Sequence, residues 1–132
     1  MQERLHQNDN KKKIESFRDL IVWQKSHELV LDVFQLTARF PKKDQAYLFT
    51  KTRDTALIIP ANIATGFEKR GKKAKVHFYR LALTEMEQLR YMIILAEDLG
   101  YYKDSAAFFE KCENIEKMLK RLIRSIASSS NQ

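Results

Sequence analysis

The sequence predicts an all-α protein, an antiparallel up-down-up-down four-helix bundle. The first observation is a shortage of turn residues, because the 132 residues include only three Gly and two Pro. An all-β sandwich or barrel turns roughly every 8–12 residues and would use more of both. The second observation is that apolar residues recur at steps of three and four along several long segments, as on one face of an α-helix. The segments between these predicted helices are short, and helices joined by short connections run in opposite directions to their neighbours.

The chain divides into one helical domain with polar ends. We expect a mobile basic arm over residues 1–15, the bundle over residues 16–127 and a disordered tail over residues 128–132. The predicted helices cover about residues 19–40, 44–68, 73–99 and 104–126. Pro41 ends the first helix because its ring excludes Phe40 from the α region. Gly100 suits a left-handed residue after the third helix, and Asp104 or Ser105 can cap the fourth.

Three of the predicted helices have a single apolar stripe, which indicates one buried face. The stripe of the first helix contains Trp23, Ser26, Val30, Val33, Thr37 and Phe40. The stripe of the third helix contains Tyr79, Ala82, Met86, Leu89, Ile93 and Ala96. The stripe of the fourth helix contains Phe108, Cys112, Ile115, Leu119, Leu122 and Ile126.

The second predicted helix is apolar around its whole circumference between Ala56 and Ala64. The other helices of one chain cover only part of such a helix, so we expect the remainder to lie in an interface between the subunits of a homo-oligomer. Pro60 has no N–H for the carbonyl of Ala56 and should kink the helix, with a break into two shorter helices as the alternative. Asn62 can bond a carbonyl freed by the proline or bond across the subunit interface.

Composition excludes several classes of protein. One cysteine, Cys112, excludes a disulfide framework and a cysteine-based zinc site, and its position on the fourth stripe indicates a packed thiol. No apolar run is long enough to span a membrane, and the polar N-terminus lacks the apolar core of a secretory signal, so we expect a cytoplasmic protein. We expect no cofactor and no metal: a di-iron bundle needs two inward Glu-x-x-His pairs, and the one match, Glu3 with His6, lies in the predicted arm.

Two segments of the chain resemble motifs of a known family. Residues 17–25 (FRDLIVWQK) resemble the motif F-x-D-L-x-V-W-Q-K. Residues 59–66 (IPANIATG) resemble the last eight positions of the motif S-I-P-A-N-I-A-E-G, which carries two substitutions here, Ile58 for its Ser and Thr65 for its Glu. This bacterial four-helix-bundle family includes proteins encoded in intervening sequences of large-subunit ribosomal RNA genes. It is related to the accessory variability determinant of diversity-generating retroelements.

The resemblance implies a four-helix bundle that assembles into a ring-like homopentamer and has no known catalytic activity. The related retroelement protein binds a reverse transcriptase and nucleic acid, so the resemblance implies RNA, DNA or a reverse-transcriptase-like protein as a partner. The residues expected in the oligomer interface and the family motif are Ile59, Pro60, Asn62, Ile63 and Gly66.

A basic turn is the strongest functional feature of the sequence. The net charge is +7, and no acid occurs from residue 69 to residue 80. The predicted nucleic-acid-binding residues are Lys69, Arg70, Lys72, Lys73, Lys75 and Arg80. Several cations that reach one backbone track together bind phosphates, whereas a solvated, solubilising connection is the alternative interpretation. Phe78 and Tyr79 could stack on bases, although their place on the apolar stripe favours core packing.

A second basic stripe lies late in the fourth predicted helix. It contains Lys117, Lys120, Arg121 and Arg124. Cations at this place stabilise the C-terminal end of the helix dipole, so we interpret this stripe as structural.

We therefore predict a non-enzymatic, homo-oligomeric accessory or scaffold protein that binds RNA or DNA, or a nucleic-acid enzyme, through the basic turn. A purely structural protein–protein interaction module is the first alternative. The second is a HEPN-like ribonuclease, because Arg70 and His77 match the motif Arg-x(4–6)-His. In that alternative His77 acts as acid or base and Arg70 stabilises the charge on phosphorus. Gly71 replaces the polar residue that usually follows the arginine of this motif.

Overall fold

A computed structural model describes residues 13–129 and, within them, every side chain except those of residues 44–46. The described residues form four α-helices and no strand. The helices are α1 (Ile21–Thr37), α2 (Thr50–Glu68), α3 (Lys72–Asp98) and α4 (Ala106–Ala127). Most of the predicted arm (residues 1–12), with its Glu-x-x-His match, and the last three residues of the predicted tail lie outside the described residues. The all-helical fold class is confirmed.

The first helix is shorter than the sequence predicts at both ends. A separate 3-10 helix, Phe17–Asp19, precedes α1, and the Ser16 hydroxyl accepts a hydrogen bond from the backbone N–H of Arg18 at 3.1 Å. At the other end, α1 stops at Thr37, and the N–H of Phe40 bonds the carbonyl of Thr37. This last turn tightens to a 3-10 pattern because the proline that follows Phe40 disfavours a further α-helical residue.

The second helix begins later than predicted and is not broken. A 3-10 helix (Lys42–Asp44) and a π-helix (Gln45–Phe49) precede α2, so the chain is helical near residue 44 but takes up α-helical geometry only at Thr50. The helix then continues through Pro60 to Glu68. The alternative of two shorter helices is therefore wrong.

The connection from α3 to α4 follows the predicted chemistry in part. Gly100 has a φ of 82°, and the N–H of Tyr101 bonds the carbonyl of Ala96 at 2.8 Å, which together form a left-handed helix cap. Ser105 occupies the N-cap of α4, but its hydroxyl does not cap the helix. It donates instead to Oε1 of Glu97 at 2.7 Å and so ties the start of α4 to the end of α3.

The core is formed by one buried stripe from each helix. All six residues of the predicted third stripe, from Tyr79 to Ala96, are buried. The first and fourth stripes are rotated slightly from the prediction, because Trp23 and Ile126 are only half-buried whereas Leu29 and Ile123 are buried. The side chains with the least exposure meet in the middle of the bundle and hold the helices in register.

Contacts between named residues show how the helices neighbour one another. Arg53, near the start of α2, bonds the carbonyl of Phe34 near the end of α1. Lys111, early in α4, bonds Asp32 in the second half of α1 at 2.6 Å. These end-to-start contacts are compatible with the predicted up-down-up-down order. Along the described chain, no helix combines the length and the apolar character that crossing a membrane requires.

Candidate nucleic-acid interface

The predicted basic turn connects the C-terminus of α2 to the N-terminus of α3. Lys69 is the C-cap residue of α2, with extended backbone angles, and its N–H bonds the carbonyl of Gly66 at 3.2 Å. Arg70 follows in the turn, and Gly71 is the N-cap residue of α3. The tight reversal brings the carbonyl end of one helix beside the amide end of the next.

Two of the six predicted cations donate side-chain hydrogen bonds to the protein itself. Lys75 donates from Nζ to the carbonyl of Phe67 at 2.7 Å and, more weakly, to that of Gly66 at 3.4 Å. Lys72 donates from Nζ to the carbonyl of Ser129 at 2.6 Å. The carbonyl of Phe67 lies in the last turn of α2, and that of Ser129 lies just after the end of α4. The negative end of each helix dipole favours a cation at these places. Both lysines therefore cap neighbouring helices and are half-buried.

The other four cations are exposed to solvent, and we call them the exposed basic surface. They are Lys69, Arg70, Lys73 and Arg80. Within the described residues none of the four forms an ion pair. Lys73 and Arg80 are seven residues apart on α3, so they share its outward face about 10 Å apart along the axis. The start of α3 and the turn before it therefore leave four cations exposed to solvent.

The electrostatics of the α3 N-terminus also favour an anion. The first turn of α3 contains no acid, and lysines occupy positions 72, 73 and 75. The positive end of a helix dipole is stabilised by negative charge and destabilised by cations, by about 0.3–1 kcal/mol per exposed charge. The side chains of Lys72 and Lys75 reach away to other carbonyls, which reduces this repulsion, whereas Lys73 remains on the solvent side.

The two neighbouring aromatic residues do not form a free stacking surface. Tyr79 is only 2% exposed, and burial raises the pKa of its hydroxyl. Phe78 is half-buried, with the ammonium of Lys69 5.2 Å from its ring centroid and the ring of His77 edge-on at 5.0 Å. The predicted core packing of Tyr79 is confirmed.

Four of the five residues predicted for the oligomer interface and the family motif are buried inside the bundle of one chain. Ile59, Pro60, Ile63 and Gly66 are all buried against the other helices of the same chain. Their side chains pack the core and do not line an outward interface. Asn62 is half-buried, and within the described residues its amide has no hydrogen-bond partner, so the predicted bond to a freed carbonyl is absent.

The outward face of α2 is formed by other apolar residues. Leu57 is 43% exposed and Ile58 is 37% exposed, and Ala61 lies beside them on the solvent side. On α3, Leu81 and Tyr91 are exposed as well. The apolar circumference predicted for α2 is thus present, but the residues available to a second chain are these rather than the proline motif.

Arg53 at the start of α2 binds the end of α1 in its own chain. Its Nε donates to the Thr37 hydroxyl at 2.8 Å, and its second guanidinium nitrogen donates to the Phe34 carbonyl at 2.9 Å. The guanidinium lies between the rings of Phe34 and Phe49, at 4.2 Å and 3.9 Å from their centroids. It therefore caps the C-terminus of α1 while covering two aromatic rings.

The groups that could perform chemistry are few in the described part of the chain. Arg70 and His77 are both exposed, so a substrate between them would lie on an open surface. Burial raises the pKa of the Cys112 thiol to about 12, which keeps it protonated and unreactive at neutral pH. In residues 13–129 no three His, Cys, Asp or Glu side chains are grouped so that they could hold a metal ion.

The fold and its cation-rich turn define a small, basic, all-helical protein of the four-helix-bundle class. The sequence profile of the 23S rRNA-intervening sequence proteins matches residues 18–121, which includes all of α1, α2 and α3 and most of α4. The chain therefore belongs to the family of 23S rRNA-intervening sequence proteins. A search of curated proteins finds no match to the chain.

Proposed function

We propose that this protein is a non-enzymatic accessory protein that binds the phosphate backbone of RNA or DNA through the exposed basic surface. The observation that supports the proposal is the set of four exposed cations, Lys69, Arg70, Lys73 and Arg80, with no acid between residues 69 and 80. The lysine-rich N-terminus of α3 adds to the attraction for an anion. Because Tyr79 is buried and Phe78 is half-buried beside this surface, binding follows charge and shape rather than base sequence.

The salt dependence of binding tests this proposal. Each phosphate neutralised by a cation releases a counterion, so the logarithm of the binding constant falls with the logarithm of salt concentration by about 0.7–0.9 per contact. We expect a labelled RNA to bind at low salt and to lose affinity steeply as salt rises. Undetectable binding at low salt would contradict the proposal.

A pair of double variants localises the binding. Lys73→Glu with Arg80→Glu reverses two charges of the exposed basic surface, and we expect it to weaken RNA binding and flatten the salt dependence. The control is Lys42→Glu with Lys43→Glu, which makes the same charge change at two exposed residues at the opposite end of the bundle. If both pairs weaken RNA equally, only net charge matters and the surface is misassigned.

The same experiment separates binding from catalysis. We expect the RNA to remain intact after long incubation with the protein. Cleavage that disappears in His77→Ala would establish the ribonuclease alternative instead, since His77 is the only acid–base residue of the Arg70 motif.

In this proposal the protein acts as a homo-oligomer, and each subunit presents one copy of the exposed basic surface. The supporting observation is the apolar surface that one chain leaves in water, because Leu57 and Ile58 of α2 and Leu81 and Tyr91 of α3 are exposed. A second copy would remove these residues from water. Several copies of a weak surface on one assembly bind a long anion more tightly through effective concentration.

Light scattering tests the assembly. We expect a mass that is a multiple of 15.6 kDa, and we expect Ile58→Glu to reduce it by placing a charge in the interface. The matched control is Leu31→Glu, because Leu31 is also exposed but lies on α1. A mass of one chain at every concentration would contradict the oligomer.

A further inference from the structure

A groove runs along the seam between α1 and α4, away from the α2–α3 turn. It has a volume of about 300 Å³. It is lined by Lys25 and Glu28 of α1 and by Lys111, Asn114, Ile115, Lys117, Met118 and Arg121 of α4. Met118 and Arg121 also line a continuation of the groove toward the start of α1, where Leu20, Ile21 and Leu122 are added. The two parts share these two residues and adjoin each other along the seam.

The rim of this groove is strongly cationic. Four of its residues are cations, and Glu28 is the one carboxylate among the eight residues that line the first part. Lys111 is held by Asp32 at 2.6 Å, and Lys25 lies 3.9 Å from Glu28. In the described chain, Lys117 and Arg121 form no ion pair, so their charges face the groove opening without a carboxylate partner.

The floor of the groove is apolar. Ile115 is buried beneath it, and Met118 and Leu122 are half-buried. At the continuation, Ile21 is 41% exposed, whereas Val22 beside it in the sequence is buried in the core. Flexible Met and Leu side chains can adapt to the side chains of another protein, and their exposed surface is stabilised when it is covered.

The rim and the floor together distinguish between two anionic partners, a nucleic-acid backbone and an acidic amphipathic helix. None of the described residues that line the groove is aromatic, so it has no platform on which a base could stack. A phosphate backbone would pair with the rim and leave the apolar floor uncovered. An amphipathic helix with acidic flanks would use both, because its apolar stripe covers the floor while its carboxylates meet Lys117 and Arg121.

We infer that the α1–α4 groove is a docking site for an acidic amphipathic helix of a partner protein. Along α4 the lining extends from Lys111 to Ser125, about 20 Å at 1.5 Å per residue. A partner helix of about 14 residues has this length and presents apolar anchors at positions i, i+4 and i+7. The inference is independent of the proposed nucleic-acid contact, because the exposed basic surface contributes no residue to the groove.

A designed peptide tests the groove on the full chain. The probe is a fluorescent peptide of about 14 residues with leucines at i, i+4 and i+7 and glutamates on both flanks, and its control has the same composition in scrambled order. Fluorescence anisotropy measures both. We expect the amphipathic peptide to bind at least about tenfold more tightly than the scrambled one, a difference of roughly 1.4 kcal/mol. Equal binding of the two would overturn the inference, since charge alone would then explain it.

Variants of the rim and the floor locate the peptide. Lys117→Glu with Arg121→Glu changes two exposed residues, so the fold should persist, and we expect it to weaken peptide binding by at least about tenfold. Met118→Asp places a charge in the floor and should have a similar effect. The charge-matched pairs Lys42→Glu with Lys43→Glu and Lys73→Glu with Arg80→Glu should leave peptide binding unchanged. Equal loss in all three charge-reversal pairs would place the peptide elsewhere.

Two further results would assign the groove to a different occupant. Single-stranded RNA that displaces the peptide, and that loses affinity in the Lys117→Glu with Arg121→Glu variant, would show that the groove takes nucleic acid. A fall in the mass of the assembly in that variant, measured by light scattering, would show that the groove contacts a second copy of the chain. Either result overturns the inference, whereas displacement by unlabelled peptide without a change in mass supports it.

Discussion

Gly66 of α2 lies directly against the ring of Tyr79 of α3. A Cβ atom added at Gly66 would be 2.8 Å from Cε1 and 3.0 Å from Cδ1 of that ring, and 3.2 Å from Cβ of Phe78. These separations are shorter than ordinary van der Waals contacts between carbon atoms. The absence of a side chain at this position therefore sets how closely α2 and α3 approach one turn before the basic turn.

Gly66→Ala should destabilise the protein even though alanine is the better helix former. Replacing Gly by Ala inside a helix gains about 1 kcal/mol, whereas overpacking a core costs about 1–3 kcal/mol. Tyr79 is almost fully buried and has little room to move, so the overpacking cost should exceed the gain, with a net loss of up to roughly 2 kcal/mol in the free energy of unfolding. Urea unfolding measures it.

A double variant identifies the cause of that loss. Tyr79→Leu removes the ring, so the cost of Gly66→Ala should be smaller in its background, and a double-mutant cycle gives the coupling between the two positions. An alanine variant as stable as the original protein would show that the two helices can separate without cost.

Arg53→Lys should destabilise the bundle although it keeps the charge. Lysine cannot reproduce the two hydrogen bonds to Thr37 and Phe34 or lie flat between the rings of Phe34 and Phe49. We expect a loss of about 1–2 kcal/mol in the free energy of unfolding. The control is Arg39→Lys at an exposed position of the α1–α2 connection, which should change stability by less than about 0.5 kcal/mol. Equal effects would mean that only charge matters at residue 53.

The helices could be predicted because their signals are local. The spacing from Tyr79 to Ala96 identifies the buried face of α3 without knowledge of any other helix, and the left-handed residue after α3 falls at Gly100 as its type requires. The start of α2 could not be predicted in the same way. The chain before Thr50 is already helical, but in 3-10 and π geometry, and both geometries share the apolar spacing of an α-helix closely enough to conceal the change.

The site was less predictable because it depends on contacts between distant residues. The six cations of the basic turn look equivalent in sequence, yet Lys72 binds a carbonyl 57 residues away and Lys75 caps the helix before the turn. The α1–α4 groove likewise combines Lys25 with Lys117 and Arg121, which no local pattern connects. The Gly66 contact had a signal in the sequence, since a glycine inside an apolar helix often marks close approach of another backbone or ring.

Protonation of Glu116 should stabilise the folded protein in mild acid, relative to a variant that cannot bind this proton. Its carboxylate lies 3.6 Å from the Arg90 guanidinium between α3 and α4, and its side chain is only 12% exposed. Burial raises the pKa of this carboxyl above its ordinary value of 4.5, while the charge of Arg90 opposes the shift. The folded protein therefore binds the proton more tightly than the unfolded chain. The resulting gain in unfolding free energy appears as pH falls through the raised pKa and is complete below the ordinary one.

Glu116→Gln removes this titration. We expect the stability of the original protein relative to the variant to increase as pH falls from neutral toward 4.5, as measured by urea unfolding at several pH values. Glu110→Gln, at an exposed position of α4, should show no such trend. A pH trend of the opposite sign would mean that the attraction of Arg90 outweighs burial.

Substitutions at Gly71 allow the stability of α3 and its attraction for an anion to be measured separately. As the N-cap residue it offers no side-chain acceptor to the first turn, and an added Cβ would meet no atom within 4 Å. Gly71→Ser supplies an acceptor, and we expect a gain of a few tenths of a kcal/mol. Gly71→Asp also places a negative charge at the positive end of the helix, beside Lys72 and Lys73, and should gain about 1 kcal/mol in total.

The two Gly71 variants should diverge in RNA binding. The aspartate neutralises part of the field around Lys73 and Arg70, so Gly71→Asp should bind labelled RNA more weakly than Gly71→Ser, most clearly at low salt where surface charges are least screened. Thermal unfolding and RNA titration on the same preparations give both quantities. We expect Gly71→Asp to be more stable than the original protein and to bind RNA less well. The reason is that the lysines at the α3 N-terminus favour anion binding at the expense of stability. Equal RNA affinity of the two variants at low salt would show that the field around this turn does not attract the nucleic acid.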